Sequence, residues 1–369
     1  MSQNNDSEQS LEQVNDMLYK QGATDGLPVV PPTDDRVDEM LRGTDLPSDH
    51  VIGHLGNGDT PLTVERLATN AVMAGCYAPH LPVLIAGAKA LADPESNSIQ
   101  FSVSTGSWAY LWVINGPIRS KLDVQCGVGA FGPGFRTNRV LGRALGLTYK
   151  NTTGIHPGEK DMATTGNPFK YSLVAGENEE ESPWEPFHIS QGFDETDDTI
   201  TLAGPNSFIG WTPHRNDAQH VLEGMVYHME PGMTGAEIAD RNQTVVHALA
   251  PYNAEELSDA GLSKQEVKEY LCENSYLPRN KYARGKWGDN QIEQVDDGKV
   301  PSLQLPQIAD PENVKVLTIG GVGGRFNVTI GKTLGGPVTK KIEYPENYDE
   351  LVEEYAIERE WGKGSDVYD

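Results

Sequence analysis

The chain has 369 residues, including 39 glycines, 24 prolines and 3 cysteines, and a formal net charge of -25 from 29 Lys+Arg against 54 Asp+Glu. This length predicts two domains or one large domain with a full hydrophobic core, which needs no metal or disulfide for stability. The negative charge repels nucleic-acid backbones and anionic membrane surfaces, so neither is expected as a partner.

The sequence also bears on the compartment. No stretch approaches the roughly 18 consecutive apolar residues of a membrane span, and the polar first residues do not resemble a signal peptide. Cys76, Cys126 and Cys272 are odd in number and lack CxxC spacing, which favours a reducing environment. We therefore expect a cytoplasmic protein with free thiols.

The N-terminal third predicts an extended segment followed by two helices. Residues 1–24 form a polar lead-in, and Asp25–Thr33 contains three prolines that fix φ and remove donors. Apolar residues of Thr63–Ala74 recur with helical spacing, and Gly75 can cap that helix. Pro82 opens a nearly all-apolar helix that reaches about Ala92, so this helix should be buried.

The middle of the chain alternates between strand and helix patterns. Ile99–Ile114 is rich in β-branched and aromatic residues and predicts one or two strands. The glycine-rich loop Cys126–Gly134 leads into a predicted helix at about Thr137–Leu147. Phe169–Ala175 predicts a further strand, and Asn216–Met229 a further helix.

The last third predicts helices, a linker and then strands. Capping boxes at Thr234 and Glu237, and at Ser263 and Glu266, each indicate a helix start. Asn280–Pro306 is polar and rich in glycine and aspartate, which is typical of a linker. The elements expected after it are strands at Val314–Ile319, Phe326–Ile330 and Val338–Ile342 and a helix at Tyr348–Glu360. We find no internal repeat at a fixed period.

These elements predict an α/β or α+β fold in which mixed sheets carry flanking helices. The expected organisation is a polar lead-in (1–24), a main α/β domain (25–280), a linker-like segment (281–306) and a smaller β-rich unit with a closing helix (307–369). That last unit could also pack on the main domain.

Two glycine-rich strings resemble nucleotide-binding motifs but fail on spacing. Gly127-x-Gly129-x-x-Gly132 lacks both a clear preceding strand and an acidic residue about 20 positions later. Gly331-Lys332-Thr333 would need a glycine where Phe326 stands. The fold is therefore not expected to be a standard Rossmann or P-loop fold, and no NAD or ATP motif is predicted.

The glycine-rich loop can still bind an anion, because consecutive free amides in such a turn form an anion nest. Arg136, Arg139 and Arg143 follow the loop at helical spacing. We predict that the loop and Arg136 hold a carboxylate or phosphate. The alternative is a tight turn followed by solvated arginines.

Two cysteines are candidate nucleophiles. Cys76 lies between two predicted helices, with His80 four residues on as a base or ion-pair partner. Cys126 lies at the mouth of the glycine-rich loop. Two thiolates near an anion site would favour redox or nucleophilic chemistry, whereas the alternative for each is a small buried cysteine.

A divalent metal is the alternative cofactor, although no metal site is favoured. His220 and Glu223 share a face of one predicted helix. HExxH and Cys-His zinc spacings are absent. The weak metal candidates are His214, His220, Glu223 and His228.

Five strings together suggest a family. They are DGLPVVPPT (Asp25–Thr33), ATNAVMAGC (Ala68–Cys76) followed by HLPV, NGPI (Asn115–Ile118), GAFGPGFRTNRVLGRA (Gly129–Ala144) and GENEEESPWEP (Gly176–Pro186). The chain resembles a poorly characterised bacterial family whose genes accompany small (seleno)proteins with a UGSC motif. Those small proteins are similar to the selenocysteine-bearing part of glycine-reductase-type component B.

The resemblance implies a large catalytic or substrate-binding component that works with a Cys or selenocysteine redox partner. The residues that carry over by position are Cys76, Arg136, Asn138, Arg143, Lys170, Glu177 and Asn178.

We therefore predict the large component of a cytoplasmic enzyme, an oxidoreductase or lyase, that cleaves or reduces a carbon–heteroatom bond in a small anionic substrate. Cys76 or Cys126 would act as thiolate, with Lys170 and Glu177 as acid and base. The predicted substrate-binding residues are Gly129, Gly132, Gly134, Arg136, Asn138, Arg143 and Asn178. The alternatives are a metal-dependent hydrolase or lyase and a non-catalytic substrate-binding scaffold, and a homo-oligomer is expected.

Overall fold

The computed structural model describes residues 10–56, 60–229, 244–278, 304–308, 310–357 and 359–361. The capping box at Thr234 and Glu237, and residues 280–303 of the predicted linker, lie outside the described residues.

The described part of the chain contains twelve α-helices. They are α1 Leu11–Lys20, α2 Asp34–Leu41, α3 Val64–Ala74, α4 Leu81–Ala92, α5 Ser98–Val103, α6 Ile118–Lys121, α7 Arg136–Thr153, α8 Phe187–Ser190, α9 Ala218–Met229, α10 Pro251–Asp259, α11 Lys264–Asn274 and α12 Tyr348–Glu354. Within the described ranges, no helix has both the length and the apolar character to cross a membrane.

The same part of the chain contains twelve strands, which makes the fold a mixed α/β fold, as predicted. They are β1 Val51–Leu55, β2 Thr60–Thr63, β3 Leu111–Asn115, β4 Leu173–Gly176, β5 Thr199–Ala203, β6 Phe208–Trp211, β7 Val245–Leu249, β8 Tyr276–Pro278, β9 Gln304–Pro306, β10 Val314–Thr318, β11 Asn327–Ile330 and β12 Val338–Lys341.

Local sequence signals explain where the predicted helices and strands agree with the structure and where they do not. Thr63 caps α3 by accepting from the Arg66 amide, and Gly75 ends the helix in the left-handed conformation. The predicted strand at Ile99 is wrong, because Asn97 in a left-handed conformation starts the short helix α5 there. The predicted strand at Phe169 begins four residues later, because Asn167 caps a 3₁₀ turn over Pro168–Lys170.

Two four-stranded sheets share one topology. The first has the order β4-β3-β5-β12, and the second has the order β10-β7-β11-β6. In each sheet a parallel pair (β3 with β4, β7 with β10) is followed by two antiparallel neighbours. The chain thus repeats a structural unit, although its sequence shows no repeat.

From β3 onward, the strands fall into two groups along the chain, β3 to β6 and β7 to β12, which we call its two halves. Each half donates its last strand to the sheet of the other half. Strand β6 follows β5 along the chain but pairs with β11, and β12 follows β11 but pairs with β5. The two crossing segments meet at an isolated bridge between Pro205 and Thr333. Strands on both sides of the predicted linker therefore belong to the same sheets.

Successive side chains of each strand point to opposite faces of its sheet, so each sheet packs on the other sheet with one face and on helices with the other. Leu111 and Val113 of β3 pack in one cluster with Val246 and Ala248 of β7, between the two sheets. The alternate residue Trp112 packs with the apolar faces of α3, α4 and α7, and helices α9, α10 and α11 cover the second sheet. The layers are helices, sheet, sheet and helices.

Helix α7 lies unusually close to the first sheet at Gly142. A Cβ atom at this position would lie 2.4 Å from the Ser172 Oγ and 2.8 Å from a Val174 methyl carbon. Only glycine fits, since real Cβ contacts do not reach such distances. This contact fixes the depth and direction of the whole helix.

We predict that Gly142→Ala lowers the free energy of unfolding by about 2 kcal/mol, because overpacking outweighs the helix propensity of about 1 kcal/mol that alanine gains. Urea unfolding followed by circular dichroism measures this change. Gly324→Ala is the control, since no atom lies within 4 Å of its added Cβ. A Gly142→Ala variant as stable as wild type would contradict the close packing.

Candidate functional site

The predicted anion loop closes on itself. The Ala130 amide donates to the Gly127 carbonyl, and the Gly132 amide donates to the Gly129 carbonyl at 2.7 Å. The glycines Gly129 and Gly134 have positive φ, as tight turns require. At least two of the amides proposed for a ligand are therefore used within the loop.

The arginines after the loop contact the protein itself. Arg139 donates to four backbone carbonyls, including those of Ser172 and Val174. Arg136 donates to the Tyr77 hydroxyl at 2.6 Å, and its guanidinium lies 5.1 Å from the centre of that ring. These contacts do not support the predicted anion site at Arg136.

Two further predicted binding residues hold loops in place. The fully buried Asn138 accepts from the Gln125 amide and donates to the carbonyls of Gln125, Ala130 and Val174. Asn178 donates through its side chain to the Gly320 carbonyl at 2.9 Å. Both amides are satisfied by backbone, so their observed contacts are structural.

The environment of Cys76 favours a thiol rather than a thiolate. Its Sγ donates to the Val140 carbonyl at 3.5 Å. Burial raises the pKa of Cys76 well above its ordinary range, and Arg143 opposes this shift. His80 is not positioned as its base, because the His80 Nδ1 accepts from the Tyr77 amide.

The other two cysteines are half-buried. Burial raises the pKa of Cys126, and the neighbouring Arg119 opposes this shift. Cys272 donates to the Ile308 carbonyl and packs against the core under the second sheet.

Glu177 lies at the carboxyl end of β4 in a buried polar cluster. Its Oε2 accepts from the Asn115 side chain at 2.6 Å and from the Phe187 amide at 2.7 Å. Its Oε1 lies 3.8 Å from the Nζ of Lys264, on α11. Burial raises the pKa of Glu177, and Lys264 opposes the shift. This carboxylate joins the two halves of the chain.

The acidic residues that follow it bind Arg119. This buried guanidinium pairs with Glu179 at 2.7 Å and with Glu180 at 2.9 Å, and it also donates to the Glu177 carbonyl. The string GENEEE thus forms an ion-pair network at the ends of the parallel strands.

Three of the metal candidates lie on α9 and have other partners, and His214 lies just before this helix. His220 Nδ1 lies 2.7 Å from Asp217, and His228 Nδ1 lies 2.7 Å from the Gly224 carbonyl. Glu223 accepts from Gln219, and the His214 ring centre is 6.2 Å from that of His220. Among the residues that the structure describes, no group of three or more His, Cys, Asp or Glu could hold a metal ion.

A cavity of about 870 Å³ lies beside α7, and it includes Arg143 and Lys170 in its lining. It is bounded by α7, by the residues just before β3, by the loop 155–171 and by the N-terminal segment 19–26. Cys76, Cys126 and Glu177 are not part of its lining. The structure therefore separates the predicted site residues into different places.

One face of α7 forms the floor of the cavity. Arg143, Gly146, Leu147 and Lys150 all line it, and their spacing of i, i+3, i+4 and i+7 places them on one side of a helix.

Aromatic side chains form a wall. Trp108, Tyr110 and Tyr149 line the cavity, and the rings of the two tyrosines are 5.9 Å apart. Burial raises the pKa of Tyr110, and Tyr149 and Asp161 add to the shift. Trp108 and Tyr149 are almost fully buried, so the partly exposed ring of Tyr110 is the part of this wall that can contact a flat, apolar group.

The charges in the cavity are mostly paired. Arg143 binds Asp25 at 2.8 Å, and Lys170 binds Asp161 at 2.6 Å. Lys150 instead donates to the Gly22 carbonyl, and within the described ranges no ion pair joins it to a carboxylate. Burial lowers the pKa of Lys150, and Asp25 opposes the shift.

The cavity is locally positive in an acidic protein. The charged residues of its lining are the cations Lys20, Arg143, Lys150 and Lys170 and the carboxylates Asp25 and Asp161. This excess of cations contrasts with the net charge of -25 of the chain.

Comparison of the chain with protein-family models, curated proteins and solved structures finds no match. The family resemblance therefore stays a prediction.

Sequence reasoning missed Lys150, His156, Asp161 and the aromatic wall. The pattern of Arg143, Gly146, Leu147 and Lys150 on one helix face was available as a signal. The ring of His156 packs directly on Gly22, where a Cβ would lie 2.6 Å from the ring. Gly22 and His156 are far apart along the chain, so no local sequence pattern predicts that they are in contact.

We predict a distinctive pH dependence for Glu177. Its raised folded-state pKa means that its contribution to stability is present below the ordinary value of 4.5 and is lost as pH rises through the folded-state pKa. The difference in unfolding free energy between wild type and Glu177→Gln should thus fall with rising pH, by at most about 1.4 kcal/mol per pH unit.

Urea unfolding between about pH 4 and pH 8 measures this difference. Glu180→Gln is the matched control, because hydrogen bonding to Arg119 lowers the pKa of Glu180. Its difference from wild type should stay nearly constant over most of this range and should decrease only as pH falls below the ordinary value of 4.5. Equal slopes for the two variants would contradict the assignment.

Proposed function

We propose that the protein binds a small organic anion with an aromatic or apolar body in the cavity over α7. The observation that carries this proposal is Lys150, a partly buried ammonium group without a carboxylate partner among the described residues, in the lining of a large aromatic-walled cavity.

The electrostatics favour an anion over a neutral ligand. A carboxylate or sulfonate at Lys150 would form a charge-assisted hydrogen bond, which is stronger than the present bond to the Gly22 carbonyl. It would also stabilise the ammonium form that burial disfavours. The charge of the lining supports the same ligand class.

The size and lining of the cavity suit a small molecule. Ligand pockets commonly have volumes of roughly 300–1,000 Å³ and apolar or aromatic walls with a few polar groups. The volume of about 870 Å³ lies in this range, and the partly exposed ring of Tyr110 offers a flat apolar surface.

The chemical step remains a prediction. Lys170 is the one predicted catalytic residue in the lining, and its ammonium is held by Asp161. Cleavage or reduction of a carbon–heteroatom bond, a thiol or selenol partner protein and a homo-oligomer stay predictions, and the binding proposal does not depend on them.

Binding of 8-anilinonaphthalene-1-sulfonate, an aromatic anion, tests the proposal by fluorescence titration. We expect one site per chain, and the neutral analogue N-phenyl-1-naphthylamine should bind more weakly. Lys150→Met should weaken binding of the sulfonate about tenfold, which corresponds to about 1.4 kcal/mol.

Lys121→Met is the control, since it also removes one positive charge but from an exposed lysine paired with Asp349. The affinity of Lys121→Met for the sulfonate should match that of wild type. Equal binding of the neutral and anionic dyes, or unchanged affinity in Lys150→Met, would refute the proposal.

A further inference from the structure

We infer that Asp25 sets the ligand class by restricting the cavity to monoanions. This inference rests on the proposed function, because it concerns the same cavity. Asp25 occupies the guanidinium of Arg143, which would otherwise bind a second anionic group of the ligand.

The Asp25–Arg143 contact has the form of a bound ligand carboxylate. Arg143 Nε donates to Asp25 Oδ2 at 2.8 Å, and Nη2 donates to Oδ1 at 2.9 Å. Two such parallel bonds are the usual way in which arginine binds a carboxylate. Both side chains are about one-sixth exposed, at 17% and 16%, so the pair is partly desolvated.

The segment that carries Asp25 is fastened on both sides. Before Asp25, Asn151 donates to the Ala23 carbonyl at 2.9 Å. After Asp25, the Pro28 carbonyl accepts from Arg143 at 2.8 Å. The Asp25 carboxylate is therefore preorganised, and a ligand carboxylate cannot form the paired Nε and Nη2 bonds to Arg143 without displacing it.

The second ion pair of the cavity is fixed in a similar way. Asp161 binds Lys170 at 2.6 Å and accepts from the Ala163 amide at 3.1 Å. Lys20 is exposed at the rim. Of the four cations in the lining, Lys150 is thus the interior one that makes no ion pair within the described residues, although Asp25 acts on it electrostatically.

Among the described residues, a dianion would find no second unpaired cation inside this cavity. Its first charge can bind Lys150. Arg143 and Lys170 are already paired with carboxylates, so its second charge would face only the exposed Lys20. Like charges in a partly desolvated site repel more strongly than in water. The two internal carboxylates therefore select against ligands with two charges.

Removal of the Asp25 charge should reverse this selection. Arg143 and Lys150 lie on the same face of α7 and are seven residues apart, which is about 10 Å along the helix axis. With Arg143 unpaired, the cavity would present two cations toward the two ends of an elongated dianion.

Two rigid probes of one shape test the inference: biphenyl-4-carboxylate and biphenyl-4,4'-dicarboxylate, which differ in one charged group. Calorimetric titration of the full chain gives both dissociation constants. We expect wild type to bind the monocarboxylate at least about tenfold tighter, and Asp25→Asn to shift the ratio at least about tenfold toward the dicarboxylate. In Asp25→Asn/Arg143→Gln this shift should disappear.

Asp35→Asn, an exposed change on α2, is the control and should keep the wild-type ratio. If Asp25→Asn does not fold, the dissociation constants of both probes are measured for Arg143→Gln and compared with those of Asp25→Asn/Arg143→Gln. The unpaired Asp25 carboxylate should then weaken binding of the dicarboxylate at least about tenfold more than binding of the monocarboxylate. An unchanged ratio in that comparison, or in a folded Asp25→Asn, overturns the inference.

Failure of the proposed function gives a different result. If wild type binds neither the biphenyl monocarboxylate nor the anilinonaphthalene sulfonate, the cavity is not an anion site. If wild type binds the two biphenyl carboxylates equally well, the anion site stands and the role of Asp25 is refuted.

Discussion

Helix α7 lies directly on strand β4 because Gly142 has no side chain to hold the two apart. The close approach lets Asn138 and Arg139, one turn earlier, reach the carbonyl of Val174 in that strand. The same helix then carries Arg143 and Lys150 into the cavity. A helix further from the sheet would lose these polar contacts and would move the cavity floor, so the packing of α7 and the position of the cavity floor depend on one steric condition.

The charge of the protein is distributed unevenly. The chain as a whole is strongly acidic, yet the cavity contains more cations than carboxylates. Its carboxylates each neutralise a specific cation, which leaves the ammonium of Lys150 on a backbone carbonyl. An ammonium group binds a neutral carbonyl oxygen more weakly than it binds an anion. This difference is the driving force that the proposed ligand would use.

The exchange of edge strands makes the two halves one structure. Each sheet is completed by a strand from the other half, and Glu177 and Lys264 meet across the halves at the ends of the parallel strands. In the acidic string after β4, Glu179 and Glu180 form ion pairs with Arg119. The family resemblance implied a catalytic role for Glu177 in this string, whereas the structure shows it buried and hydrogen-bonded within the protein.

The sequence by itself determined the elements whose signals are local. Thr63 and Gly75 bound α3, and the apolar run after Pro82 gives a buried helix, because caps and periodicity act within a few residues. Only the tertiary structure decided where the arginines point and which strands pair. Arg139 turns to carbonyls of β4, and Arg143 turns to Asp25, 118 residues away. Partners so distant in the chain leave no local pattern, since their contact is fixed by the packing of α7 and not by spacing.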